Sequence, residues 1–261
     1  MGTKIKSKYL LEFIKEIQFK NRNPQNIKAL ELLDDISTNP EINIFKGEYM
    51  YRCRIITQGD KINQKPNFYG YDDKNSFVPP VKVTKDLRAN YRYIPYLYCA
   101  NHPYTSIVEV RPRLGASVSI ATIVAKDNMR LLDFTMQKKP SRMSEGKKSL
   151  FADLSILYST PVTNDDDILD YIPTQFIAEY AKKLGYDGIA FSSSLTPEVD
   201  IAAKRFNIVV FNYDKCNVIK SNVFTIVGNY LDTQKNDEDP EDFEIQNYLN
   251  ERLEKRLKGI L

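Results

Sequence analysis

The chain has 261 residues, enough for one sizeable domain with additions or for two small domains. Its 37 basic and 34 acidic residues nearly cancel, to a net charge of +3, which gives no reason to expect a general polyanion binder and leaves room for a local basic cleft. Hydrophobic content of 42%, with 17 Tyr, 13 Phe and no Trp, points to a real core of aromatic character.

Taken in order, Leu10, Phe13, Ile14 and Ile17 fall at helical spacing, and Pro24 breaks that helix. Ile27, Leu30, Leu33 and Ile36 form a second stripe that ends at the loop STNPE. Together these predict a helical extension over residues 1–45, read either as a packing addition or as an interaction module. EYMYRCRIIT then alternates, with Tyr49, Tyr51, Cys53 and Ile55 on one side and Arg52 and Arg54 on the other, which predicts a strand with two guanidinium groups on its polar face. Residues 58–87 are polar, aromatic and proline-bearing and read as a long ordered loop, a kind of segment that more often carries function than not.

Residues 96–111, YLYCANHPYTSIVEVR, predict a short strand, a turn at Asn101, His102 and Pro103, and an apolar segment carrying Glu109 between Val108 and Val110. A carboxylate among such neighbours is expected to be partly desolvated and to need a partner. Residues 116–124 and 131–134 continue the β texture, 138–148 read as a basic, exposed connection, 150–157 as a helix and 163–167 as an acidic turn. Pro173 is expected to open a helix with Phe176, Ile177, Tyr180, Ala181 and Leu184 facing inward and Gly185 ending it. Strands follow at 189–191, ending on Ser192, Ser193 and Ser194, then at 206–211 and 218–227. Residues 234–240 form an acidic linker. The final helix, 240–261, carries Ile245, Leu249, Leu253 and Leu257 at four-residue steps, and either docks on the domain or mediates self-association.

Cys53, Cys99 and Cys216 form no CxxC pair and are odd in number, which argues for a reducing, cytoplasmic setting. No stretch approaches ~20 apolar residues or forms a signal-peptide core, so neither a membrane span nor export is expected. His102 and Cys99 lack further ligands at metal-binding spacing, so no metal is expected, and no catalytic triad can be built around His102.

Several segments form an ordered series: Tyr-Arg-Cys-Arg at 51–54, Arg-Ala-Asn at 88–90, Ile-Pro-Tyr-Leu-Tyr-Cys-Ala at 94–100, Ser-Ile-Val-Glu-Val-Arg at 106–111, Pro-Thr-Gln at 173–175, Asp-Gly-Ile-Ala-Phe-Ser-Ser-Ser at 187–194 and Asn-Ile-Val-Val-Phe at 207–211. In this order and spacing the series resembles the RES domain family, over roughly residues 48–215. The resemblance implies an α+β fold similar to ADP-ribosyltransferases, with mixed β-sheets flanked by helices and a catalytic domain over 48–232. It also implies an enzyme that consumes NAD+ by releasing nicotinamide, as a glycohydrolase or phosphorylase, acting as an intracellular toxin or defence effector, with an antitoxin or regulatory protein as partner. NAD+ would be the substrate, with no cofactor beyond it. A protein ADP-ribosyltransferase on the same scaffold is the alternative enzyme.

Residue by residue, the resemblance places Arg52 and Arg88 on the pyrophosphate, where arginine forks suit phosphate oxygens. Leu87 stands where the family usually has glycine. Tyr98 would stack on or bond to the nicotinamide riboside, and Glu109 would stabilise the cationic ribose as nicotinamide leaves. Ser193 matches the family serine best, in the frame set by Phe191, with Ser192 and Ser194 competing for the role. Arg54, Asn90, Gln175 and Asn207 complete the expected NAD+-binding set.

Plainer readings stand beside these. Arg52 and Arg54 would also suit a solvated strand face, Glu109 would suit pairing with Arg111 or an upstream arginine, and serines after a strand are common in turns. A third functional class is a non-enzymatic RNA-binding surface made from Arg52, Arg54, Arg88, Arg92 and the tyrosines. The near-neutral charge makes nucleic acid the least favoured partner.

Overall fold

The structure, a computed structural model, describes residues 5–60, 62, 65–137, 142–160, 168–195 and 205–228. The expected acidic turn at 163–167 and the linker and helix from 234 onward, with its role in self-association, lie outside the described residues.

The fold is α+β. An eight-stranded mixed sheet has the order β1-β5-β6-β7-β3-β2-β4-β8. Its strands are β1 (Glu41–Ile44), β2 (Tyr49–Ile55), β3 (Leu97–Ala100), β4 (Ser117–Ala125), β5 (Met129–Phe134), β6 (Gly188–Ser192), β7 (Phe206–Val210) and β8 (Cys216–Thr225). All ladder pairs are antiparallel except β5–β6. That parallel pair needs a crossover, which the helices α5 (Glu145–Ser159) and α6 (Ile168–Lys183) supply. The ladder between β3 and β2 holds a single register pair, Tyr51 with Ala100, so the sheet parts along this seam into two halves.

Side chains leave a strand alternately to its two faces, and β5, β6 and β7 are apolar on both. Leu132, Phe134, Ile189, Phe191, Val209 and Phe211 pack beneath the helices α1 (Lys8–Phe19), α2 (Lys28–Asp34), α5 and α6. Leu131, Ala190, Ile208 and Val210 join Met50, Leu97 and Ile123 in the core on the other face. A column of rings, Phe151, Phe134, Tyr158 and Phe191, with centroids 5.0–5.4 Å apart, runs from the helical layer towards the seam.

The apolar stripe of α1 is buried through Leu10, Phe13 and Ile17, and the helix starts where Ser7 accepts the Leu10 N–H and the Asp153 carboxylate takes the N–H groups of Lys6 and Ser7. Residues 41–44, within the stretch read as helical, form the edge strand β1. Four residues are too few for a period-2 pattern to stand out.

Four further expectations are corrected. Pro173 does not open α6: it sits inside the helix. Leu169, whose carbonyl Pro173 cannot serve, accepts instead from Gln18 Nε2 at 2.9 Å. The basic stretch 138–148 is not wholly an exposed connection, because Glu145 already starts α5 and Lys147 is buried. Its ammonium donates to the Asp35 carbonyl at 2.6 Å and to Thr38 Oγ1 at 2.7 Å, which ties α5 to the turn after α2. Finally, the stretch 58–87 read as a loop holds a short helix, α3 (Asp73–Ser76), and the segment before Glu109 is also a helix, α4 (Pro103–Glu109), capped by His102, whose Nδ1 accepts the Tyr104 N–H at 3.2 Å.

Gly185 ends α6 as expected, at φ +86, where the Tyr186 N–H returns to the Ala181 carbonyl. Gly188 has a different reason. A Cβ there would lie 2.2 Å from the Val209 carbonyl oxygen, so only glycine lets β6 lie this close to β7.

Candidate active site

The seam between β2 and β3 opens into a cavity of about 700 Å³, within the ~300–1,000 Å³ typical of small-molecule sites. Arg52, Arg88, Asn90, Tyr98, Glu109, Ser192, Ser194 and Asn207 line it. Segments as far apart in sequence as β2, β3, α4 and β7 thus meet around one space.

At its acidic corner, α4 ends at Glu109. The carboxylate is exposed to the cavity mouth, not desolvated among the valines. A helical turn carries Glu109 away from its apolar sequence neighbours, which defeats the inference from adjacency. One oxygen, Oε1, accepts from Ser193 Oγ at 2.6 Å and from Asn207 Nδ2 at 2.7 Å. Ser193 follows β6 and Asn207 lies on β7, and these strands pair directly. The C-terminal end of a helix disfavours a carboxylate, so the two donors offset an unfavourable dipole as well as orienting the group. The other oxygen, Oε2, makes no hydrogen bond among the described residues.

Ser193 is therefore the serine that touches the acid. Ser192 donates instead to the Thr135 carbonyl at 3.1 Å, holding the end of β6 to the segment after β5. Ser194 is exposed on the cavity wall.

On the opposite wall lies Arg52. Its guanidinium reaches the Tyr98 carbonyl at 3.4 Å across the parted ladder, while its Nε is buried with no hydrogen-bond partner. Burial, and secondarily the Arg54 charge, lower its pKa to about 10, so it stays cationic at neutral pH. A buried donor without a partner is costly, and the residue that carries it lines the cavity with its charge intact.

The remaining expected residues divide. Arg88 lines the cavity, but its guanidinium donates to the carbonyls of Leu157 and Tyr158 in the last turn of α5, a favourable place for a cation. Tyr98 donates its hydroxyl to Asn90 Oδ1 at 2.8 Å and accepts the Ala89 N–H at 3.1 Å, leaving its ring as cavity wall. Asn90 is buried, with its amide on the Lys85 and Tyr91 carbonyls. Gln175 lies behind the wall, not on it: from α6 it donates to the Leu87 and Asn90 carbonyls at 3.0 and 2.9 Å. Asn90 and Gln175 thus brace the turn at 87–90 and do not offer donors to a ligand.

Arg54 is not brought to the cavity. It lies over the Tyr71 ring at 4.6 Å and donates to the Asn75 carbonyl. Arg92 pairs with Asp86 at 3.5 Å. With Arg52 inward and Arg88 on α5, the four arginines have four separate settings and make no common basic surface.

Sequence reading passed over Tyr51, Tyr158, Tyr171, Phe191 and Arg111 as cavity residues. Aromatics at strand and helix spacing read as core, and nothing in one sequence distinguishes a ring that faces a cavity. Cys53, Cys99 and Cys216 are buried and unpaired, and burial raises all three thiols, Cys53 and Cys216 to about 12. Among the described residues no group of acidic, His and Cys side chains could hold a metal, and no helix is long and apolar enough to cross a membrane.

The RES domain profile matches residues 68–226, more than half of the chain. The chain belongs to the RES domain family. The matched span contains Arg88, Tyr98, Glu109, Ser193 and Asn207, whereas Arg52 lies ahead of it and reaches the same cavity from β2. Among solved structures, a chain of the M. tuberculosis MbcT–MbcA toxin–antitoxin complex aligns with a TM-score of 0.46 and 15% identity, over 76% of this chain and 93% of that one. No curated protein matches the sequence.

Proposed function

We propose that this RES protein cleaves the nicotinamide–ribose bond of NAD+, with water or phosphate as acceptor, and acts as an intracellular toxin restrained by a protein antitoxin. The observation that carries the reading is the Glu109 carboxylate, held through one oxygen by Ser193 and Asn207, at the mouth of a cavity also lined by Arg52, whose Nε has no hydrogen-bond partner. Membership in the RES family supports the substrate class.

The chemistry follows from the charges. When the C1′–N bond breaks, its electron pair goes to the pyridinium nitrogen, so nicotinamide departs neutral and needs no acid. Positive charge develops on the ribose. A fixed carboxylate stabilises that charge with little reorganisation, because Ser193 and Asn207 already orient it. Water or phosphate then adds to C1′ and loses a proton. Arg52 would hold a phosphate oxygen and fix the dinucleotide relative to Glu109. The reading assigns no metal or cofactor to the reaction, so a chelator should not inhibit it.

Purified protein incubated with NAD+ in phosphate and in phosphate-free buffer, with products identified by mass, tests this. With water as acceptor, nicotinamide and ADP-ribose should appear in both buffers; with phosphate as acceptor, nicotinamide and phosphorylated ADP-ribose should appear only where phosphate is present. Glu109→Gln should reduce the rate by about 10²–10³-fold, the magnitude for losing a preorganised electrostatic contact. Label from NAD+ that ends on a macromolecule would reassign the protein as an ADP-ribosyltransferase. No nicotinamide under any condition overturns the proposal.

A further inference from the structure

Asn207, which donates to the Glu109 carboxylate, sits between β3 and β6, opposite Ala100 on one side and Phe191 on the other. Residues directly opposite in an antiparallel ladder turn their side chains to one face, with Cβ atoms about 4.5–5.5 Å apart. Ala100, Asn207 and Phe191 therefore share a face, and all three line the cavity together with Glu109. Ala100 contributes a methyl group and leaves room. Phe191 contributes a ring.

That ring ends the aromatic column. Phe134, Phe151 and Tyr158 are fully buried, and Phe191 alone of the four keeps some exposure, at 7%. Tyr158 stacks on it with centroids 5.4 Å apart and planes 28° apart, and the Tyr158 hydroxyl donates to the Thr174 carbonyl at 2.6 Å. The column is thus a packed support whose last ring stands beside the acidic corner. Ser193, which donates to the same carboxylate oxygen as Asn207, follows Phe191 by two residues. Tyr98, the ring offered by the motif series, pairs with Val209, two residues further along β7, and its hydroxyl is held by Asn90 and the Ala89 N–H.

The face of an aromatic ring carries negative potential, as a carboxylate does. A ring and an oriented carboxylate that meet across one asparagine suit a ligand group that is both flat and positively charged. We propose that Phe191, backed by Tyr158, is the platform on which the cavity takes a planar aromatic cation, the pyridinium ring of NAD+. The choice of NAD+ as the carrier of that ring rests on the reading above. As the C1′–N bond breaks, positive charge leaves the ring for the ribose, so the platform holds the substrate ring more tightly than neutral nicotinamide. Phe191 is then a binding residue and contributes to KM more than to kcat.

The probes are 1-methylnicotinamide, a pyridinium cation without ribose or phosphate, and nicotinamide, its neutral counterpart. Wild type should bind the cation more tightly. Phe191→Leu should weaken 1-methylnicotinamide binding and raise KM for NAD+ by about tenfold, with kcat much less affected and the affinity for ADP-ribose, which lacks the ring, unchanged. Phe191→Tyr should restore most of the loss. Phe151→Leu, at the buried far end of the column, should lower Tm and leave binding of the cation at wild-type strength. Equal binding losses in Phe151→Leu and Phe191→Leu would assign the effect to core packing and overturn the platform. Nicotinamide bound as tightly as the cation, or unchanged KM and cation affinity in Phe191→Leu, also overturns it. Phe191-dependent binding of 1-methylnicotinamide without release of nicotinamide from NAD+ upholds the platform and removes the cleavage reading, so the two failures are told apart.

Discussion

Asn207 Nδ2 donates to Glu109 Oε1 across 2.7 Å, joining a sheet residue to the last residue of a helix 98 positions earlier. Asn207 is nearly buried and its backbone is locked in the ladder between β3 and β6, opposite Ala100 and Phe191. The carboxylate is thus referenced to a strand paired on both sides, which makes Asn207 a positioning residue for Glu109.

Asn207→Asp would set two carboxylates at hydrogen-bond distance, where both cannot ionise together and one proton is retained to higher pH. The acid limb of the pH profile for nicotinamide release should move up by about one pH unit or more. Asn207→Ala should lower activity without that displacement. A profile for Asn207→Asp that superimposes on wild type would show that the contact does not govern the carboxylate.

Arg52 and Arg54 are two residues apart and chemically identical, yet their settings predict opposite outcomes. Arg52→Ala should cost most of the activity, and Arg52→Lys should rescue little, because an ammonium cannot reproduce the planar fork. Arg54→Ala should leave kcat/KM near wild type, its guanidinium being over Tyr71 outside the cavity. Equal losses for the two would return them to one shared phosphate-binding face.

Gln175→Ala leaves the Leu87 and Asn90 carbonyls without their side-chain donor. The expected cost is about 1–3 kcal/mol of stability, measured by urea unfolding. The looser turn should raise KM for NAD+ as well, since Arg88, Ala89 and Asn90 form one wall. A stability change indistinguishable from zero would mean that the turn holds without this brace.

Asp60 gives a pH-dependent stability with a defined sign. Its carboxylate accepts from Thr57 at 2.5 Å and from the Tyr71 hydroxyl at 2.6 Å, and these bonds, Thr57 first, lower its pKa from 3.8 to about 2. A depressed folded-state pKa stabilises the native state above the unfolded value and loses that contribution as pH falls through the folded value. Wild type should melt above Asp60→Ala at neutral pH, with the gap constant down to about pH 4 and shrinking towards pH 2. A gap that does not change with pH would assign it to the loop packing and not to the charge.

Local rules carried the reading of this chain a long way. Alternation marked β2 and β4, helical spacing marked α1 and α2, and Gly185 ended α6 where its left-handed φ is needed, because each signal depends only on near neighbours. The ordered motifs likewise drew Arg52, Glu109, Ser193 and Asn207 into one expected set, and all four meet at the cavity or its acidic corner. What neighbours in sequence cannot say is which way a side chain leaves its element and what meets it there. That placed Glu109 in the open on a helix end, turned Arg88 onto the α5 carbonyls and Arg54 onto Tyr71, and set Gln175 and Asn90 to bracing the wall. It also brought Arg111 into the cavity. Hydrogen-bond partners 84 and 98 residues away hold the Glu109 carboxylate, and only the closed sheet, with β6 paired to β7, brings them within reach.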